Sequence, residues 1–378
     1  MIGMFRLFPV LCAITAATVA VAEVGVSDNR ILLGQSAALS GPAQELGIEM
    51  RLGAQLYFEH VNRQGGIFGR SIELRSYDDG YEPDRTAPNT TRLIREDGVF
   101  ALFGYVGTPT SNAAIPIFSE AKVPFIGAFT GADSLRHPFN RLIFNIRASY
   151  FEETERIVDE HASLGVQSVA VFYQNDAYGK AGLTGVERAM EKRKMKIVTT
   201  GTVERNSVDV AAAVKTIHAA RPDLVIMISA YKSCAAFIRA MKQAGSPTRF
   251  YNVSFVGSRA LAAELGAEGF GVGISQVVPF PWSGTIPVVR EYQKLLRESA
   301  PERGVSFTSL EGFIAAKVMV EGLRRAGKDL TRDKLISALE TMRNVDVGGF
   351  NVHFTPSDHD GSSFVELTMI GKEGQFKH

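Results

Sequence analysis

Two short stretches carry the residue types best suited to hold a small charged molecule. They are Phe103-Gly-Tyr-Val-Gly-Thr-Pro-Thr-Ser-Asn-Ala-Ala-Ile-Pro-Ile and Pro124-Phe-Ile-Gly-Ala-Phe-Thr-Gly-Ala-Asp133. Each starts as an apolar run suited to a buried strand and then breaks into Gly and Thr. In the first, Thr108 stands at the expected N-cap of a helix, and Pro109 at its first position, where a missing N–H costs nothing. Ala113, Ala114, Ile117 and Ala121 continue at helical spacing, with Pro116 expected to kink or delay the helix. A strand that ends in Gly-Thr at a helix start offers unpaired N–H groups, a hydroxyl and the positive end of the helix dipole. That chemistry suits a carboxylate or another small anion. The same residues also describe a capped turn that holds nothing, the simpler reading of one such turn; two such turns close together bring the two alternatives nearer to balance.

Other chemistries find little support. The sequence has no Walker A loop, no G-x-S-x-G elbow and no H-E-x-x-H helix. Gly269-Phe-Gly-Val-Gly273 resembles a dinucleotide fingerprint only loosely, and it precedes a strand-like run. The histidines, at 60, 137, 161, 218, 353, 359 and 378, are scattered and cluster with no cysteine. Neither catalysis, nor a metal, nor a cofactor is therefore expected. A net charge of +1 leaves no basic excess to displace the counterions of a nucleic acid.

Met1 to Ala22 reads as a secretory signal peptide: Arg6, an apolar run from Leu7, and an A-x-A site at Ala20-Val21-Ala22. Leu11 before Cys12 argues against a lipoprotein site. Cleavage would take the net charge from +1 to 0 by removing Arg6, and would leave Cys234 as the one cysteine, a small core residue. Beyond the leader no apolar run is long enough to cross a bilayer, so an exported, soluble, periplasmic protein is expected.

The elements that must position the turns follow an alternating order. Strands are expected at Arg30–Ala37, Ile72–Tyr77, Phe100–Gly104 and Pro124–Ala128, with helices at Gly47–Asn62, Asp84–Glu96 and after Thr108. This βαβαβαβ order implies a parallel sheet with helices on both faces. Phe144-Asn-Ile-Arg147 breaks the rhythm, and a second α/β set follows: helix Glu152–Ser163, strand Val169–Tyr173, a loop at 174–182, then helix Val186–Arg193. Strands Leu224–Ile228, Phe250–Phe255 and Ile274–Val278 come next, with late helices at Pro287–Ser299, Ser309–Ala326 and Thr331–Met342. The tail carries strand-like runs such as Phe364–Ile370. Two doubly wound units imply two lobes with a cleft between them. Ligands of such sheets sit beyond the carboxyl ends of the strands, here the turns at 104–108 and 129–131 and the loops at 174–182, 229–232 and 253–258.

On Leu39-Ser-Gly-Pro, Asn62-Arg-Gln-Gly-Gly-Ile-Phe-Gly-Arg, Ser76-Tyr-Asp-Asp, the Gly104–Ala113 turn, Tyr178-Gly179 and Glu311-Gly-Phe before Leu323-Arg-Arg-Ala-Gly, the chain resembles periplasmic solute-binding proteins of the branched-chain amino acid (leucine/isoleucine/valine) type. These serve ABC importers. The resemblance spans essentially the whole mature chain. It implies a type I periplasmic binding protein fold, with two Rossmann-like lobes joined by three hinge crossovers. Lobe 1 would comprise 23–146 plus 279–349 and lobe 2 147–278 plus 350–378. It further implies a monomer that binds a small molecule, without catalysis, and hands it to a membrane permease. Val106, Gly107 and Thr108, with Phe129, Thr130 and Gly131, match positions that hold the ligand's carboxylate. Tyr178 and Tyr231 match aromatic residues that pack on the ligand. Ser254 matches the place of an acid that pairs with the ligand's ammonium, and that departure leaves two readings: another acid, such as Asp133 or Asp176, replaces it, or the ligand is an organic or aromatic acid rather than an amino acid. A ligand sensor uncoupled from transport would share all these features.

Overall fold

The computed structural model describes residues 23–378; the expected leader lies outside them. The strands of the first lobe are β1 (Arg30–Ala37), β2 (Ser71–Asp78), β3 (Ala101–Phe103), β4 (Phe125–Ile126) and β5 (Ile143–Phe144), joined by α1 (Gln44–Arg63), α2 (Pro83–Arg95) and α3 (Thr108–Glu120). They form one parallel sheet in the order β2-β1-β3-β4-β5. Apart from Arg30, every residue of β1 is buried, which is what a parallel strand covered on both faces requires.

The chain then crosses to the second lobe through α4 (Tyr150–Ser163). There β6 (Val169–Gln174), α5 (Ala177–Lys192), β7 (Ile197–Val203), α6 (Ala211–Ala220), β8 (Leu224–Ile228), α7 (Tyr231–Gln243), β9 (Arg249–Asn252), α8 (Ser258–Leu265) and β10 (Gly273–Gln276) follow. Next come α9 (Pro287–Ser299), α10 (Phe307–Ala326), α11 (Arg332–Leu339), and a small hairpin of β11 (Val345–Asp346) and β12 (Asn351–Val352). Finally β13 (Glu366–Ile370) and β14 (Phe376–Lys377) join the second sheet antiparallel, giving the order β14-β13-β10-β9-β8-β6-β7.

The boundaries differ from the sequence expectation in three instructive places. The helix after β6 starts at Ala177, well before Val186, because the Asp176 carboxylate caps it by accepting from the N–H groups of Tyr178 and Gly179. Pro116 does not delay α3, which runs unbroken past it. The strand expected to reach Phe255 stops at Asn252 and turns into a single 3-10 turn over Ser254–Val256, which lifts that loop towards the first lobe.

In the first lobe α1 lies against α10, and glycines set how closely they pack. A β-carbon on Gly53 would come within 1.7 Å of the Ser309 carbonyl oxygen, and one on Gly312 within 2.1 Å of the Met50 carbonyl oxygen. Both obstacles are backbone, so neither moves without separating the helices. Gly53→Ala is therefore expected to lower the unfolding free energy by about 1–3 kcal/mol or more, as overpacking does. Gly284→Ala, with nothing within 4 Å, should fall within about 0.5 kcal/mol of wild type. Urea unfolding of the two variants checks the contrast.

Candidate functional site

The turns after β3 and β4 are tied together by backbone hydrogen bonds beyond the formal strands. The Gly107 N–H donates to the Phe129 carbonyl at 3.1 Å, and the Phe129 N–H to the Tyr105 carbonyl at 2.7 Å. This brings Val106, Gly107, Thr108, Phe129, Thr130 and Gly131 to one place, all of them buried. One detail differs from expectation. Gly107, not Thr108, is the N-cap of α3, and Thr108 is its first helical residue. Gly107 holds a φ of +99°, and a β-carbon there would lie 2.2 Å from the Tyr81 ring, so both the conformation and the packing demand glycine. Freed from capping, the Thr108 hydroxyl shares a 2.7 Å hydrogen bond with Thr130, whose hydroxyl lies 3.2 Å from that of Tyr150. Three hydroxyls thus form a buried row. Gly131 allows Tyr150 to approach: its carbonyl accepts from the Tyr150 N–H at 2.7 Å, and a β-carbon would lie 2.7 Å from that same nitrogen.

Tyr178, in the first turn of α5, faces this row from the second lobe. Its ring centroid lies 5.3 Å from that of Tyr150 and 4.6 Å from that of Phe255. Phe255 in turn lies 5.2 Å from Phe129 and 5.8 Å from Tyr81. Five rings therefore meet across the cleft, Tyr81 and Phe129 from the first lobe, Tyr178 and Phe255 from the second, and Tyr150 at the crossover. Burial pushes the Tyr150 hydroxyl up to about 12, against the lowering pull of Arg147 and Thr130, so it remains a hydrogen-bond donor at neutral pH. Tyr231 is not part of this cluster. It lines a separate cavity of about 440 Å³ with Glu45, Leu46, Glu49, Gly257 and Ser306, where the starts of α1, α7, α8 and α10 converge.

Ser254 has a specific role here. Its N–H donates to Glu153 at 2.8 Å, and its hydroxyl accepts from Arg147. Glu153 also accepts from the Ser275 hydroxyl at 2.6 Å and pairs with Arg147 at 2.9 Å. The other end of the Arg147 guanidinium pairs with Glu311 of α10 at 3.3 Å. All of these groups are buried. Burial raises the Glu311 carboxyl to about 7, with Arg147 pulling it back and Glu153 pushing it further up. Burial also works against the Arg147 charge, but Glu311 and Glu153 beside it hold it above the ordinary arginine range. Neither acid weighed from the sequence stands in for the one missing at 254. The Asp133 side chain is 39% exposed and pairs with His137. Asp176 is engaged by the α5 N-terminus, Gln174 and Arg205.

The lobes also meet at the rims of the cleft. Arg205 of the second lobe donates twice to Glu82 of the first, and Asn206 donates to Glu82 and to the Gly80 carbonyl. On the other side Arg259 of α8 pairs with Glu49 of α1.

Sequence reasoning missed Tyr81, Tyr150, Phe255, Glu153 and the central position of Arg147. Tyr150 and Glu153 follow three and six residues after Arg147, at the rhythm break Phe144–Arg147, and that break was the available clue. Tyr81 and Phe255 carry no clue beyond lying at strand ends.

Residues 30–375 match the family model for periplasmic binding proteins. The chain is 23% identical over 259 residues to the leucine-, isoleucine-, valine-, threonine- and alanine-binding protein of Pseudomonas aeruginosa, covering 66% of this chain and 67% of the relative. It superposes on a possible leucine/isoleucine/valine-binding protein from Rhodopirellula baltica with a TM-score of 0.88 and 37% identity, over 93% of this chain and 97% of that one. A substrate-binding periplasmic protein from Ralstonia solanacearum gives a TM-score of 0.87 and 33% identity, over 92% and 99%.

The raised Glu311 pKa has a consequence for stability. A carboxyl whose folded pKa lies above its unfolded value favours the folded state fully below pH 4.5, and that contribution is lost as pH rises towards about 7. Glu311→Gln keeps an acceptor for Arg147 but cannot ionise. Wild type should therefore lose melting temperature relative to Glu311→Gln between pH 5 and pH 8. Parallel melting curves for the two proteins across that range would reject the assignment.

Proposed function

This chain belongs to the periplasmic binding protein family, and on that premise we propose that it is the extracytoplasmic receptor of an ABC importer, capturing a small carboxylate-bearing ligand by closure of its two lobes. The observation that carries this reading is the row of Thr108, Thr130 and Tyr150 hydroxyls facing Tyr178 and Phe255 across the cleft. The carboxylate would take hydrogen bonds from that row and from the N–H groups of the α3 start, where the helix dipole also favours an anion. Val106, Gly107, Phe129 and Gly131 shape its seat, and Tyr178 packs on the ligand body. Tyr231 and its cavity lie at the approach to the seat. Ser254 serves the Arg147–Glu153 pair and does not contact an ammonium.

In this reading the protein is an exported monomer that releases its ligand unchanged to a membrane permease. Lobe 1 is formed by 23–146 with 279–349 and lobe 2 by 147–278 with 350–378. Their crossovers act as the hinge. The Glu82–Arg205 and Glu49–Arg259 contacts hold the closed form and must part for the ligand to enter or leave.

Two measurements test this. A charge-assisted hydrogen bond contributes about 1.5–3 kcal/mol, so Thr108→Val should weaken a bound carboxylate by about tenfold to a hundredfold. The ligand comes from a thermal-shift screen of amino acids and small organic acids, since binding to the native state alone raises the melting temperature. Unchanged affinity in Thr108→Val would show that the carboxylate sits elsewhere. Independently, X-ray scattering of Arg205→Ala without ligand should give a larger radius of gyration than the same variant with ligand. Equal radii, with binding proven by calorimetry, would remove lobe closure from the mechanism.

A further inference from the structure

We infer that the second-lobe wall of the cleft receives an uncharged hydrogen-bonding group of the ligand, which makes that ligand a flat carboxylic acid without an ammonium; this rests on the receptor reading above. Three side-chain oxygens along that wall are buried without a hydrogen-bond partner among the described residues: the Tyr178 hydroxyl, the Ser229 hydroxyl and Gln174 Oε1. All three residues are 0% exposed. They are also neighbours by topology. Gln174 ends β6 and Ser229 follows β8, and these strands pair with Tyr173 opposite Ile228, so the next residue of each lies side by side. Tyr178 stands four residues after Gln174, in the first turn of α5, and its ring meets Tyr150 and Phe255.

Buried polar groups are nearly always paired, because an orphan keeps its full desolvation penalty. Three orphans on one wall of one cleft, at strand ends where ligands of this sheet type bind, therefore mark a place shaped for a guest. The inventory of their bonds defines that guest. The Gln174 amide nitrogen is taken by Tyr81 and Asp176, which leaves its carbonyl as an acceptor. Tyr178 and Ser229 can donate or accept. A hydroxyl or a primary amide satisfies this set. An ammonium would find acceptors here but no counter-charge, because the carboxylates close by are spoken for: Glu153 by Arg147, Ser254 and Ser275, and Asp176 by Arg205 and the α5 N-terminus. A buried ammonium with neutral neighbours alone is strongly disfavoured. The shape follows from the rings. Phe255 on one lobe is in direct ring contact with Phe129 and Tyr81 on the other, 5.2 and 5.8 Å between centroids, so a ligand ring enters when the lobes part and replaces these contacts with offset or edge contacts of its own.

The test is calorimetric titration of the full chain with benzoate, 4-hydroxybenzoate and L-leucine, repeated on Tyr178→Phe and Ser229→Ala. The inference expects 4-hydroxybenzoate to bind at least about tenfold more tightly than benzoate, since a site with unpaired polar groups rejects the analogue that lacks their partner, and leucine to bind more weakly than either. In at least one of the two variants that preference should collapse to less than about threefold. The ligand-free variants should melt no lower than wild type, because each loses a group that nothing among the described residues satisfies; a lower melting temperature in both would assign the hydroxyls a structural role and overturn the inference. Equal affinity for the two aromatic acids in wild type would also overturn it. Tight leucine binding would overturn it while leaving the carboxylate receptor standing, whereas no binding of any of the three, with the protein folded, would remove both.

Discussion

The guanidinium of Arg147 is the interaction on which the rest of the arrangement depends. It lies on the segment that leads from the last strand of the first sheet into α4, and it joins Glu311 of α10 to Glu153 of α4. An isolated charge so deeply buried would be very costly, and truncating one member of a buried pair typically costs about 3–5 kcal/mol. Burial raises the Glu311 pKa, and the second carboxylate on the same cation, Glu153, adds to that rise. The same guanidinium lies 5.1 Å from the centre of the Phe129 ring, so the charged crossover and the aromatic cluster share a wall.

From that anchor the cleft divides by chemistry. The first-lobe side supplies hydroxyls already bonded to one another, Thr108 to Thr130 to Tyr150. The second-lobe side supplies aromatic surface and polar atoms with no partner. The rims carry the salt bridges, Glu82 with Arg205 and Glu49 with Arg259. Glu82 and Arg205 are partly exposed, with side chains 38% and 23% accessible, so solvent weakens their attraction and makes it a contact that can break and re-form. The Glu49 side chain is only 5% accessible, so the Glu49–Arg259 pair is shielded from solvent and harder to part than Glu82–Arg205.

Much of the fold was legible because its causes are local. Apolar runs such as Leu224–Ile228 are buried on both faces, and alternation of such runs with amphipathic helices leads to one parallel sheet and one that is parallel up to its last two strands. The Gly107-Thr108-Pro109 and Thr130-Gly131 turns were legible for the same reason: backbone freedom, a hydroxyl and a helix start are written within a few residues of one another. The sequence misplaced the N-cap by one residue, since it could not show that the Tyr81 ring occupies the space beside Gly107.

The amino-acid order by itself determined that two α/β units follow one another, that their strand-end turns carry threonines at a helix start, and that position 254 lacks an acid. Only the tertiary structure decided what those facts mean together. Glu153, Ser254 and Glu311 are distant along the chain yet meet one guanidinium, with Ser275 bonded to Glu153 behind it, and Tyr81, Phe129, Tyr150, Tyr178 and Phe255 come from five separate strand ends to make one aromatic cluster. Periodicity reports whether a side chain is buried; it carries no information on which buried side chains from different strands meet, because that depends on sheet order and on how the two sheets sit against one another.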